Sequence, residues 1–216
     1  MIEIKVSPNN TKLGKIASFS LPSITSCPGA TNECVSTCYA VKLERIYSNV
    51  DNAYQLNLQA IKDKNFVFSL SEEITRLTTK KTPIKTFRWH VSGDWSTIKY
   101  MYDCVSIMKK FPDITFYAYT RNWRLSNWLP HLDFLHALPN MTLFASIDDD
   151  TIKNNEWPPN HYKVAYFGEN KDTVKTKYNL LPCPNQTTNK LCDSCKLCFN
   201  ISYKENKKIN ILFRKH

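Results

Sequence analysis

The sequence predicts an α/β protein, a partial (β/α) barrel of about five or six mostly parallel strands with a cysteine-rich loop near the C-terminus. Short segments rich in β-branched and aromatic residues alternate with longer segments in which apolar residues recur every three or four positions. The 216 residues fit one domain, and no repeat or low-complexity linker divides them. We therefore expect a single domain over residues 1–216, with an open doubly wound sheet as the alternative arrangement.

The N-terminal part combines a short strand with the first cysteines of the chain. Residues 16–19 have the composition of an early strand, and residues 1–47 form a segment that contains three cysteines. A helical stretch is expected over about residues 51–79, because its apolar residues recur at spacings of three and four.

Two strand–helix units follow this stretch. Residues 83–91 alternate as a strand, and Ser96 or Thr97 can cap the helix that comes next. Residues 114–120 form the following strand, before a Leu-rich helical region that is interrupted or restarted at Pro130. Further strands are expected at residues 141–147, 162–167 and 209–213.

The cysteines point to metal binding near the C-terminus. Of eight cysteines, seven fall in two tight sets. Cys192, Cys195 and Cys198 form a C-x2-C-x2-C run, with Cys183 shortly before it. Three thiolates on one short loop cannot all pair with one another, whereas all four can converge on one metal centre. We therefore expect residues 183–198 to form a closed metal site within the same domain.

Four cysteines suit either a [4Fe-4S] cluster or a tetrahedral zinc ion. Zinc ribbons usually present two separated C-x2-C pairs, whereas this loop has a triple run and one distant partner. The pattern is closer to ferredoxin-type loops, in which clustered cysteines and a nearby Cys-Pro hold a cluster. The sequence thus favours a [4Fe-4S] cluster, with zinc as the alternative. A set of buried free thiols fits poorly with the polar residues around them.

The N-terminal set consists of Cys27, Cys34 and Cys38, with no obvious fourth cysteine. A cluster held by three cysteines leaves one iron open to a substrate, a cofactor or a further ligand. The alternatives are a zinc site completed by a distant histidine, for which His90 is a candidate, and a structural role. Cys104 stands apart at helical spacing from apolar residues, and we expect it to lie in the core.

Polar residues collect where the strands end, the edge at which parallel sheets bind ligands. The candidates after the strand at 83–91 and the strand at 114–120 are Arg88, His90, Ser92, Gly93, Asp94 and Arg121. The chain has six arginines against 23 lysines, so arginines at these ends suggest a small anionic ligand or fixed ion pairs. We expect Ser92, Asp94 and Arg121 to face the open iron. The alternative is that Asp94 caps the next helix and Arg121 pairs with Asp148 to hold loops.

Charge and composition exclude some classes of protein. No apolar run reaches the roughly 20 residues of a membrane-spanning helix, and the first residues lack the pattern of an export signal. We therefore expect a cytoplasmic protein that does not enter membranes. The net charge of +10 could indicate nucleic-acid binding, but the lysines are dispersed and the aromatic residues fit a core. Nucleic acid is thus not the expected partner.

The chain resembles a phage-encoded family known as the gene product 88 type. The matching segments are Cys-Pro-Gly-Ala-Thr-x-x-Cys-x-x-x-Cys-Tyr-Ala at 27–40, Arg-Trp-His-Val-Ser-Gly-Asp-Trp at 88–95, Tyr-Thr-Arg at 119–121 and the C-terminal cysteine loop. The resemblance implies a viral protein made in the host cytoplasm and carrying one or two clusters, structural, electron-transferring or catalytic. An electron donor protein would then be a partner. The alternative function is a zinc-stabilised binding module, for nucleic acid or protein, without catalysis.

Such proteins look like small relatives of the radical S-adenosylmethionine enzymes, which are partial (β/α) barrels. In those enzymes three cysteines hold a [4Fe-4S] cluster whose open iron binds the methionyl end of S-adenosylmethionine. A Gly-Gly-Glu-like segment contacts the amino group of the cofactor, and Ser92-Gly93-Asp94 occupies the comparable place here. The cysteine spacing differs, since this chain has C-x6-C-x3-C and those enzymes have C-x3-C-x2-C.

Overall fold

A computed structural model of the protein describes residues 2–200 and 209–214. In this part of the chain one sheet of eight strands has the order β1-β2-β3-β4-β5-β6-β8-β7. The strands are β1 (Val6–Ser7), β2 (Ala17–Phe19), β3 (Thr86–Trp89), β4 (Thr115–Thr120), β5 (Met141–Ile147), β6 (Lys163–Phe167), β7 (Leu180–Pro182) and β8 (Asn210–Phe213).

The sheet is mostly parallel and open. Only β1 pairs in the antiparallel sense, with β2, while every other neighbouring pair is parallel. The α/β class is confirmed. The expected five or six strands are too few, and the sheet is not closed into a barrel, because β1 and β7 form its two edges. The strands that the sequence did not indicate are these edges, of two and three residues, which are too short to show alternation.

Ten helices connect and cover the described strands. They are α1 (Asn32–Ser36), α2 (Tyr39–Ile46), α3 (Ser48–Ala60), α4 (Phe66–Thr78), α5 (Ile98–Lys110), α6 (Leu129–His136), α7 (Asp149–Lys153), α8 (Lys171–Lys175), α9 (Pro184–Thr188) and α10 (Cys192–Cys195). None of them is long and apolar enough to cross a membrane.

Two expectations about helices have different outcomes. The stretch expected to be helical, about residues 51–79, is helical but not continuous, because a turn at 61–65 divides it into α3 and α4. The cap of α5 is confirmed, since the Thr97 side chain accepts a hydrogen bond from the backbone N–H of Tyr100.

The sheet has two different faces. Residues such as Phe87, Trp89 and Phe116 point to one face and pack with α4, α5 and α6 in the main core. Cys104 is fully buried in this core, as expected. Tyr119 and Phe144 point to the opposite face, which we call the cysteine face, because the C-terminal cysteine loop packs on it.

Candidate metal centres

The N-terminal cysteine segment lies across the carboxyl ends of the central strands. The Gly29 N–H donates to Asn122 Oδ1 at 3.2 Å, and Arg124 Nη1 donates to the Gly29 carbonyl at 2.9 Å. A Cβ atom on Gly29 would lie 2.3 Å from the carbonyl oxygen of Arg121. Glycine is therefore required where this segment crosses the turn after β4.

Asp148 connects three parts of this region. Its Oδ1 accepts from the Thr151 N–H at 3.0 Å and so caps α7. Its Oδ2 accepts from the Thr31 hydroxyl and lies 2.7 Å from Arg121 Nη1 in a buried ion pair. Thr31 in turn caps α1, which carries Cys34. The expected Arg121–Asp148 pair is therefore present, and it fixes the cysteine segment to the ends of β4 and β5.

Asp94 fixes the end of β3 to the end of β4. Its carboxylate accepts from the Thr120 hydroxyl at 2.9 Å and from the N–H groups of Trp95 and Arg121 at 2.8 and 2.9 Å. Burial raises the pKa of Asp94 to about 6, against these hydrogen bonds, which lower it. Asp94 also interacts electrostatically with Cys27. It is a buried framework carboxylate beside the cysteines, and it does not cap the following helix.

Ser92 and Gly93 hold the segments that precede the cysteines. The Ser92 hydroxyl donates to Glu44 Oε1 at 3.0 Å, which ties α2 to the loop after β3. Gly93 has φ +85°, and a Cβ atom there would lie 2.5 Å from Ser26 Oγ. The structure therefore gives both residues packing roles close to the N-terminal cysteines.

His90 lies in the main core. Its Nε2 is 2.9 Å from the Tyr100 hydroxyl, and its ring packs edge-on against Trp95. Burial, together with the charge of Arg88, lowers the pKa of His90 to about 3, so the imidazole is neutral. The described contacts of His90 are core contacts, and none of them joins it to a cysteine.

The three N-terminal thiols are close enough to influence one another. Burial raises the pKa of Cys27 to about 12, and Asp94, Cys34 and Cys38 raise it further. Burial also raises the pKa of Cys34, but the neighbouring guanidinium of Arg121 opposes this. Cys38 lines an open groove along α2. The three thiols therefore lie within electrostatic range of one another, and Cys38 is accessible from the groove.

The C-terminal cysteine loop is attached to the rest of the fold at both ends. The Cys183 N–H donates to the Leu212 carbonyl in β8 at 2.9 Å. At the other end, the N–H groups of Cys192 and Asp193 donate to carbonyls of Lys12 and Leu13. Cys183, Cys192, Cys195 and Cys198 all line one small cavity. The thiol that is remote in sequence, Cys183, is thus brought to the triple run.

Aromatic residues and a guanidinium lie between the two cysteine sets on the cysteine face. The Tyr119 hydroxyl interacts with Cys198. The Arg88 Cζ atom lies 5.1 Å from the centre of the Tyr119 ring, and Arg88 interacts electrostatically with Cys192 and Cys198. Arg88 also interacts with Tyr39, which follows Cys38 directly. The side chain of Arg88 therefore lies near the C-terminal cysteines and also contacts Tyr39, the neighbour of Cys38 in the sequence.

Lys163 is a buried cation on the same face. Its side chain is 6% exposed, and its Nζ atom has no hydrogen-bond partner in the described part of the chain. The ammonium lies 5.7 Å from the centre of the Phe144 ring, which packs with Cys183 and Cys198. Burial lowers the pKa of Lys163, and the proximity of Cys198 opposes this. Sequence reasoning missed this residue, although a lysine within an otherwise apolar strand could have indicated it.

All eight cysteines are free thiols. Within residues 2–200 and 209–214, no three His, Cys, Asp or Glu side chains are gathered closely enough to hold a metal ion as they stand. The cysteine ligands themselves stay a prediction.

The fold and the cysteine sets define a class of α/β protein with an open, mostly parallel sheet, one group of thiols at its carboxyl edge and another on one face. The chain belongs to the gene product 88 family, whose sequence model matches residues 3–206.

Two relatives are bacteriophage proteins. The chain is 29% identical over 212 residues to the gene 88 protein of Mycobacterium phage D29, covering 88% of this chain and 86% of that protein. It is 28% identical over 217 residues to the gene 88 protein of Mycobacterium phage L5, covering 94% of this chain and 89% of that protein. No solved structure matches the chain significantly. The expected phage family is thereby confirmed.

Proposed function

We propose that this bacteriophage protein binds [4Fe-4S] clusters, with a closed centre at the C-terminal cysteine set and an open one at the N-terminal set. The observation that carries the proposal is the convergence of Cys183, from the end of β7, with Cys192, Cys195 and Cys198 around one cavity. Two cations, Arg88 and Lys163, lie beside these thiols. Thiolate ligands with cationic neighbours fit a centre of negative charge.

Cluster and zinc differ in how closely they hold their ligands. A zinc ion binds each thiolate at about 2.3 Å, so that all four sulfurs meet at one point. A cube of four irons spreads the same ligands farther apart. The described thiols surround a cavity without meeting at one point. All four thiols line one cavity, which suits either centre, and the triple run with one distant partner favours iron–sulfur over zinc.

The N-terminal set would serve chemistry with a small anionic ligand. A cluster bound there through Cys27, Cys34 and Cys38 supplies one iron without a protein ligand. Arg121 lies beside Cys34, and Arg88 interacts with Tyr39, which follows Cys38 directly. These guanidinium groups can orient a carboxylate or phosphate. The resemblance to radical enzymes adds S-adenosylmethionine as a candidate ligand for this open position.

The groove beside Cys38 is where an electron donor protein would approach. Its lining includes Ile24, Val35 and Ile46, which are exposed apolar residues, and also Lys42 and Arg45. An apolar surface with a basic rim suits a partner of acidic character. We propose that the protein acts in the host cytoplasm, where such donors are present.

The test is anaerobic expression followed by iron, acid-labile sulfide and zinc analysis of the full chain. We expect iron and sulfide in equal amounts, at about four or eight per chain. Cys195→Ala should remove the C-terminal centre, and Cys34→Ala the N-terminal one. Cys104→Ala is the matched control, because Cys104 lies in the main core and its loss should leave the iron content unchanged.

The other outcomes are equally clear. A colourless protein with one or two zinc ions would contradict the iron–sulfur proposal and favour a zinc-stabilised module. If that module binds nucleic acid, its affinity should fall steeply with salt, because counterions are released. For the radical reaction, reduced protein should cleave S-adenosylmethionine without oxygen, and no cleavage would exclude this use of the open site.

A further inference from the structure

Two positive charges lie near the C-terminal cysteine set and have no carboxylate partner within residues 2–200 and 209–214. Lys163 Nζ is buried and has no hydrogen-bond partner among the described residues. Arg88 has tyrosine rings and a backbone carbonyl as neighbours, and no ion pair joins it to a carboxylate in the described part of the chain. Both side chains interact electrostatically with Cys198. A buried ammonium without a partner is costly, because burial removes its water without replacing the lost interactions.

A tetrathiolate metal centre carries the charge that these cations require. Four thiolates around an oxidised [4Fe-4S] core, or around one zinc ion, leave a net charge of about −2. Phe144 of β5 lies opposite Lys163 in the sheet, and its ring packs with the cysteine loop beside the buried ammonium. Charges separated by little water attract strongly. The negative charge of a bound centre would therefore compensate the positive charges of Lys163 and Arg88.

We propose that Lys163 and Arg88 are the counter-ions of a metal–thiolate centre of charge about −2 at the C-terminal cysteine set. Both act through the centre and are positioning residues, with no metal ligand among their own atoms. The inference rests on the proposed metal site and holds for a cluster and for zinc alike. Groups next to metal ligands commonly change metal affinity by about 10- to 100-fold when they are replaced.

The decisive variant is Lys163→Met, which keeps the length of the side chain and removes its charge. In the metal-free protein this change removes an unpartnered buried ammonium, so the unfolding midpoint should rise. In the metal-bound protein it removes a counter-ion, so the metal should be lost to a competing chelator about 10- to 100-fold more readily. A purely structural lysine would change both measurements in the same direction.

Two further variants test the second cation, Arg88, with the same measurement of metal retention. Arg88→Met should weaken metal retention, while Arg88→Lys, which keeps the charge, should restore most of it. Lys190→Met is the matched control, because Lys190 belongs to the cysteine loop but is exposed to solvent. It should leave metal retention within about twofold of the wild type, since exposed charges are screened. If iron is bound, Lys163→Met should also shift the reduction potential to a more negative value.

The outcomes separate this inference from the proposed function. Metal analysis of the wild-type chain decides between cluster and zinc, and the variants are then compared with whichever metal is present. Equal retention in Lys163→Met and the wild type overturns the inference and leaves the metal site standing. Loss of both metal-free stability and metal retention in Lys163→Met also overturns it. A wild-type chain without metal overturns both proposals.

Discussion

The buried pair of Arg121 and Asp148 should dominate the stability of the N-terminal cysteine segment. Asp148 is fully buried and the Arg121 side chain is 11% exposed, with 2.7 Å between Nη1 and Oδ2. In Asp148→Asn the guanidinium keeps its charge and loses its partner. Removing one partner of a buried pair costs about 3–5 kcal/mol. Asparagine still caps α7 well, so we expect a loss near the lower limit, about 3 kcal/mol.

Thermal unfolding can measure this loss directly. For a chain of this length each kcal/mol lowers the melting temperature by about 2–4 °C, so Asp148→Asn should lower it by about 6–12 °C. Glu156→Gln is the matched control, because the Arg124–Glu156 pair holds the same segment but is 18% and 35% exposed. Its loss should cost about 1 kcal/mol or less. Equal falls in melting temperature in the two variants would refute the claim that the Arg121–Asp148 pair dominates the stability of the segment.

Three more perturbations test the packing of the site. Gly29→Ala should cost about 1–3 kcal/mol in urea unfolding, because its methyl group would meet the Arg121 carbonyl oxygen at 2.3 Å; a neutral result would argue against this close approach. The pKa of His90 is about 3 in the folded protein and about 6.5 in the unfolded chain, so the unfolded state binds more protons between these pH values. The free energy of unfolding should therefore fall as the pH drops from about 6.5 towards 3. The contribution is at most roughly 5 kcal/mol, and His90→Asn should flatten this part of the profile. Ser92→Ala removes the hydrogen bond to Glu44 and should cost about 1 kcal/mol without changing metal content, whereas loss of metal would give Ser92 a direct part in the site.

Strong local patterns predicted most of the fold. The strands at the centre of the sheet are apolar on both faces, and Thr97 marks the start of α5 as its type predicts. The division between α3 and α4 was missed, because apolar spacing continues through the turn at 61–65. The position of β8 between β6 and β7 also depends on long-range pairing, which no local pattern records.

The sequence indicated where several candidate residues lie in the fold, but it did not indicate which groups they contact. Asp94 and Arg121 were indicated by their place after parallel strands, and they do lie beside Cys27 and Cys34. The Asp94 carboxylate accepts hydrogen bonds from backbone N–H groups because the ends of β3 and β4 lie next to each other in the sheet. Lys163 lies on the cysteine face, and the sequence does not show which face of β6 the cysteine loop covers.

The position of β8 in the sheet determines when the C-terminal cysteine loop can be anchored during folding. β7 has β8 as its neighbour in the sheet, and the cysteine loop lies between these two strands in the sequence. During synthesis the loop therefore leaves the ribosome before the strand that joins it to the sheet. Until residues 210–213 have paired with β6, Cys183 lacks the Leu212 carbonyl that receives its N–H. The metal centre that we propose at the C-terminal cysteines would therefore be completed only after β8 has joined the sheet.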